Sequence, residues 1–128
     1  MLSLTGNVGR VGIVCEDGLL LNQRVAKFIP KHPGILPWLY YYFRLPSSKD
    51  TLESIAKGTA QQNLSPVETL KLQVPFDLST ALNLSEALQP MFNQEIYGFM
   101  ESIRLAAIRD ALLPKLMSGE LDVSDIYI

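Results

Sequence analysis

The sequence predicts an α+β chain: a small mixed sheet with short helices, followed by one long C-terminal α-helix that pairs with another helix in coiled-coil fashion. Three observations carry that expectation. Up to about residue 75, short β-branched runs alternate with Gly, Asp and Pro, as strands alternate with turns. From Ser85 onward, apolar residues recur at spacings of four and three, the period of a helix that buries a seam. Charge divides near the same place. Residues 1–75 hold eight Lys/Arg against five acids, net +3, whereas residues 76–128 hold three against eight, net −5. Two parts with different partners, 1–80 and 81–128, follow from that division.

In chain order, "RVGIV" and "QRVAKFI" predict strands near 10–15 and 23–29, with "EDG" as the turn after the first. Gly6, Gly9 and Gly12 in "GNVGRVG" are followed by no Gly-Lys-Ser/Thr and lack the dinucleotide-binding spacing, so they read as a turn before a strand. "LPWLYYYFRL" carries Pro37 where a first helical turn accepts it, which predicts a helix near 36–45 whose consecutive aromatics pack in a core. Ser47 or Ser48 then caps a second helix through Ile55, ended by Lys57-Gly58. In "NLSPVETL", Ser65 takes the N-cap, Pro66 the first helical position and Glu68 the third, a capping box with its favoured proline. "LKLQV" alternates like a strand and stops at Pro75.

The long helix shows two stripes. Phe92, Ile96, Phe99, Ile103 and Ala106 form one; Leu105, Ile108, Leu112 and Leu116 run down an adjoining face. A helix of about 25 to 30 residues spans about 40 Å at 1.5 Å per residue, longer than the preceding small domain covers. Part of it is therefore expected to meet another chain. The final turn continues through Lys115-Leu116-Met117 and stops at Ser118-Gly119.

Composition excludes several classes. With 128 residues, 48% hydrophobic and 19% charged, the chain matches one globular domain and not a disordered segment. It has no run of about 18 apolar residues and no signal-peptide pattern, so the expected setting is cytoplasmic, without a membrane partner. Cys15, alone, reads as a small buried hydrophobe. His32 stands beside Pro33 with no Cys or carboxylate cluster at metal spacing. No nucleophile–base set, metal site or cofactor site can be drawn from these residues.

The basic first part suits a polyanion. Arg10, Arg24, Lys27, Lys31, Arg44 and Lys57 are positioned by type to neutralise phosphates, a sequence-independent and salt-sensitive contribution. Base readout needs paired donors and acceptors, and "GTAQQN" offers Gln61, Gln62 and Asn63, whose amides match adenine N6 and N7. The same amides would equally brace the turn into the Ser65 helix. Asn22-Gln23 has the same two uses, with bracing the better fit.

"IRDALLPKLMSGELDV", preceded by "GNVGRVGIV", "LNQRVAKFIP", "KGTAQQNLS" and "LKLQVP" in that order, resembles the C-terminal part of the DNA-specificity (S) subunit of Type I restriction-modification systems. The resemblance covers nearly the whole chain. It implies a protein that performs no chemistry itself, with residues 1–80 part of a target recognition domain, residues 81–128 the spacer helix and its tail, and the chain a C-terminal piece, a truncated reading frame or a split subunit. In that family each recognition domain reads one half of a bipartite site in double-stranded DNA. The long helices pair antiparallel as a ruler, methyltransferase (M) subunits dock on the scaffold, and the restriction (R) subunit joins through them. The helix partner would be a second specificity half or a second copy. Two other readings stay open: a protein-interaction module that pairs but no longer reads DNA, and a piece of a fused methyltransferase-specificity enzyme.

Overall fold

The computed structural model describes residues 1–56, 63–122 and 124. Along the chain run β1 (Leu2–Ser3), β2 (Val25–Ala26), a 3-10 turn (Pro33–Ile35), α1 (Leu36–Arg44), α2 (Pro46–Ile55), α3 (Pro66–Leu70) and α4 (Leu78–Met117). The chain divides into two compact units, Met1–Phe92 and Asn93–Ile128. The fold class is the expected α+β with a long C-terminal helix.

The sheet differs most from expectation. It is antiparallel rather than mixed, pairing Leu2 with Ala26 and Ser3 with Val25. The predicted strand at 10–15 contributes only an isolated bridge from Val11 to Leu2. The predicted 23–29 strand shortens to Val25–Ala26. Residues 1–4 take the centre instead: Ser3 N–H donates to the Arg10 carbonyl at 2.9 Å, and Leu4 N–H to the Arg24 carbonyl at 2.8 Å. A strand exists only where a neighbour accepts its hydrogen bonds, and these partners lie far apart in sequence. "LKLQV" forms no strand either. Leu72 there packs on the core with its chain irregular.

The helices follow local signals more closely. Proline opens α1, α2 and α3 at the first or second position, where no intrahelical N–H is lost. Ser65 caps α3, its Oγ accepting from the Glu68 N–H at 3.5 Å. The cap of α2 is a correction: its N-cap is Leu45, without a side-chain bond, and Ser48 is buried inside the helix. Leu2, Leu4, Val8, Phe43, Leu52 and Leu64 form the core, to which both strands, α1, α2 and the approach to α3 contribute.

α4 starts at Leu78, earlier than the periodicity from Ser85 predicts. Asp77 explains the start. Its Oδ2 accepts from the Thr80 N–H at 2.8 Å and from the Ser79 and Thr80 hydroxyls at 2.6 and 2.7 Å. These bonds, led by the Ser79 hydroxyl, hold the carboxyl at about 2, below the ordinary 3.8. Within the first unit, α4 buries Ala81, Ser85 and Phe92. Two of these are small, so the hydrophobic period is faint where the packing is tightest. Ser85 also completes α1: its Oγ accepts from the Trp38 N–H at 3.1 Å, one of the first-turn donors that α1's own N-cap leaves unbonded.

The far end matches the sequence. α4 passes through Pro114 and ends at Met117. Ser118 N–H donates to the Pro114 carbonyl at 2.9 Å, and Gly119, at φ 74°, takes the left-handed turn that stops the helix.

Candidate nucleic-acid interface

A polar cleft of about 560 Å³ lies within the first unit, lined by the Gly6–Val11 turn, by Phe43 and Arg44 at the end of α1, and by Lys49 and Glu53 on α2. Local backbone chemistry builds its floor. Gly6 and Gly9 sit at φ 75° and 79°, conformations that suit glycine, and turn the chain back so that Arg10 returns beside β1. Gly9 is also packed closely. A Cβ there would lie 3.4 Å from Leu52 Cβ and 3.5 Å from Lys49 Cγ, so the turn seats directly on α2.

Each charge in the cleft has a definite placement. The exposed Arg10 side chain leaves a turn whose carbonyl is tied to Ser3. Arg44 is oriented by Tyr40 one turn back, with its guanidinium carbon 5.0 Å from the ring centroid and Nη1 donating to the Tyr40 hydroxyl. Lys49 Nζ stands 3.5 Å from Glu53 Oε1, both side chains well exposed. Three cations and one carboxylate thus converge on one opening. The arrangement can hold an anion.

The expected contact residues divide among several places. Arg10 and Arg44 come together in this cleft. Arg24 does not line it: its N–H donates to Asn22 Oδ1 at 3.0 Å, and its carbonyl serves β1. That bond gives Asn22 the bracing use. Lys27 lines a different, largely apolar groove of about 400 Å³, with Glu16, Asp17, Leu39 and Phe43. Lys57, Gln61 and Gln62 lie outside the described residues. Asn63 bridges Thr5, and the Leu64 N–H donates to the Leu4 carbonyl at 2.8 Å, which anchors residue 63 next to the turn that floors the cleft.

Lys49 is the residue that the sequence reading did not single out. A lysine among many has no motif around it; only the seating of Gly9 on α2 brings it to Arg10. Among the described residues, no three His, Cys, Asp or Glu side chains group as a metal site. No helix among them is long and apolar enough to cross a membrane.

The stripe residues also separate. Phe92 is 4% exposed and stacks edge-to-face on Tyr40, 5.4 Å between centroids, so it belongs to the core of the first unit. In the second unit Ile96 is half-buried, while Phe99, Ile103, Leu105, Ile108 and Leu112 are exposed, Phe99 at 52%. Met100, Leu113 and Leu116 extend the apolar surface. A large apolar area thus stands open on this part of α4.

The chain is 28% identical over 122 residues to the specificity subunit of the Type I restriction enzyme HindI from Haemophilus influenzae, an alignment covering 94% of this chain and 26% of that protein. It is thus a distant homologue of a Type I specificity subunit, and spans about a quarter of that relative's length. The resemblance in the sequence holds at this level. No protein-family profile and no solved structure matches the chain.

Proposed function

We propose that the chain is a non-catalytic DNA-recognition and scaffold module of a Type I restriction-modification complex. The first unit would contact part of a bipartite site in double-stranded DNA; the apolar face of α4 would hold a second long helix and dock methyltransferase subunits, which in turn bring the restriction subunit. The cytoplasm is the fitting compartment. The observation that carries this reading is the basic cleft of Arg10, Arg44 and Lys49 beside the anchor at Asn63. Phosphates bound there would set position, and Gln61 and Gln62, which precede Asn63 in the sequence, would supply amides for bases.

The apolar helix face supports a second reading, a module that pairs through α4 and no longer binds DNA specifically. One experiment separates the two: sizing and pull-down with a cognate methyltransferase subunit, with and without duplex DNA. A complex that gains salt-dependent DNA affinity supports the recognition reading. A complex, or a pair of chains, indifferent to duplex leaves only the pairing module. Replacing Gln61 and Gln62 by Ala should relax base preference while leaving salt-dependent binding in place; an equal loss on all sequences would make residues 61 and 62 structural.

A further inference from the structure

Lys49 sits where helix electrostatics does not favour it. It lies in the first turn of α2, near the positive end of the helix dipole, and that turn has no acidic residue. Its pairing with Glu53 is also weak by design of the helix: the lysine precedes the glutamate at i,i+4, the less favourable order, and both side chains are exposed. Neither helix stability nor an ion pair accounts for a lysine held at this point. The cleft does. Lys49 adds a third cation to Arg10 and Arg44, and the positive start of α2 reinforces them toward an anion.

Glu53 lines the same cleft, 3.5 Å from Lys49, and opposes that attraction. An anion entering must share Lys49 with a carboxylate or displace it. We infer that Lys49 completes a grip on one backbone phosphate of duplex DNA with Arg10 and Arg44, and that Glu53 restrains this grip, keeping sequence-independent binding low. The inference rests on the DNA-binding reading above. A restraint of this kind is useful where phosphate contacts alone would hold a reader on any sequence, because only sites that add base contacts then stay bound.

The test is a salt titration of binding to a short random-sequence duplex, using the full chain and three single variants: Lys49→Ala, Arg10→Ala and Glu53→Gln. All three side chains are at least partly exposed, and unchanged thermal melts would verify that each variant folds. Loss of either cation should flatten the plot of log affinity against log salt, by at most the roughly 0.9 that one neutralised phosphate contributes. Glu53→Gln should tighten random-duplex binding severalfold at low salt and steepen the plot. Wild-type binding with slopes unchanged by Lys49→Ala and Arg10→Ala would overturn the grip while leaving the DNA reading standing. Cation effects without any gain from Glu53→Gln would overturn the restraint. Absence of duplex binding by every form would overturn the DNA reading, and the inference with it.

Discussion

The two units of this chain solve opposite problems. The first buries Leu2, Leu4, Val8, Phe43, Leu52 and Leu64 around a two-stranded sheet and then adds the Tyr40–Phe92 contact. In the second, none of the described residues is buried; Ile96 and Ala106 are half-covered and the other large apolar side chains stay open. Helix propensity and local caps can hold such a helix only weakly, since most helical stability comes from packing an apolar face. The comparison teaches that the first unit closes a core among its own described residues, while the described residues of the second leave most of their apolar side chains open.

The largest expected effect breaks the second unit's side of the comparison. Phe99→Asp with Ile103→Asp puts two charges into the open seam and should abolish pairing, measured as mass by light scattering, while the first unit's melting stays as it was. An unchanged mass would show that the chain does not pair through this seam.

Leu52→Ala should act on the other side. Leu52 is 0% exposed and meets the Gly9 turn, so its truncation should cost about 2–5 kcal/mol by calorimetry. Duplex affinity should fall with it, because the same leucine seats the floor of the cleft. A stability loss with intact DNA binding would show that the turn holds its place by other means.

Ser85→Ala sharpens the boundary. It leaves the Trp38 N–H without its acceptor in a partly buried place, and should cost about 1–2 kcal/mol, visible in the tryptophan fluorescence melt. A neutral result would mean that solvent replaces Ser85 as the cap of α1.

The smallest effect is on pH. Asp77's carboxyl is held below its ordinary value, so its stabilisation of the α4 start is fully present above 3.8 and is lost as pH falls through about 2. Circular dichroism should show helix loss in that window, and Asp77→Asn should reduce its pH dependence. An identical acid profile in the variant would exclude Asp77 as the source.

What could be read in advance follows the range of each interaction. Ser65-Pro66-Val67-Glu68 and the proline-opened α1 depend on residues within a turn of one another, so the letters alone suffice there. The Ser118-Gly119 stop is equally local. Strands at 10–15 and in "LKLQV" were expected from alternation, and alternation says nothing about which neighbour is free to pair. Asp77 caps α4 eight residues before Ser85, where the periodicity placed the start of helix. The stripe that follows it, Ala81 and Ser85, is too small and too polar to register as a hydrophobic period. Arg10 and Arg44 stood out as cations; their convergence with Lys49 and Glu53 depends on Gly9 packing against α2, a contact across about forty residues.

By itself, the sequence determined the α+β class, the starts of α1 and α3, the Ser118-Gly119 stop, the apolar stripes of α4, the division of charge and a distant similarity to a specificity subunit, all properties of nearest neighbours or of the ordered string. The tertiary structure alone decided that residues 1–4 are the sheet's centre, that Phe92 belongs to the first core, that Ser85 caps α1 and that Lys49 and Glu53 oppose each other in the basic cleft. Those outcomes depend on which distant segments meet, and close packing permits only arrangements in which backbone hydrogen bonds and side-chain volumes are satisfied together.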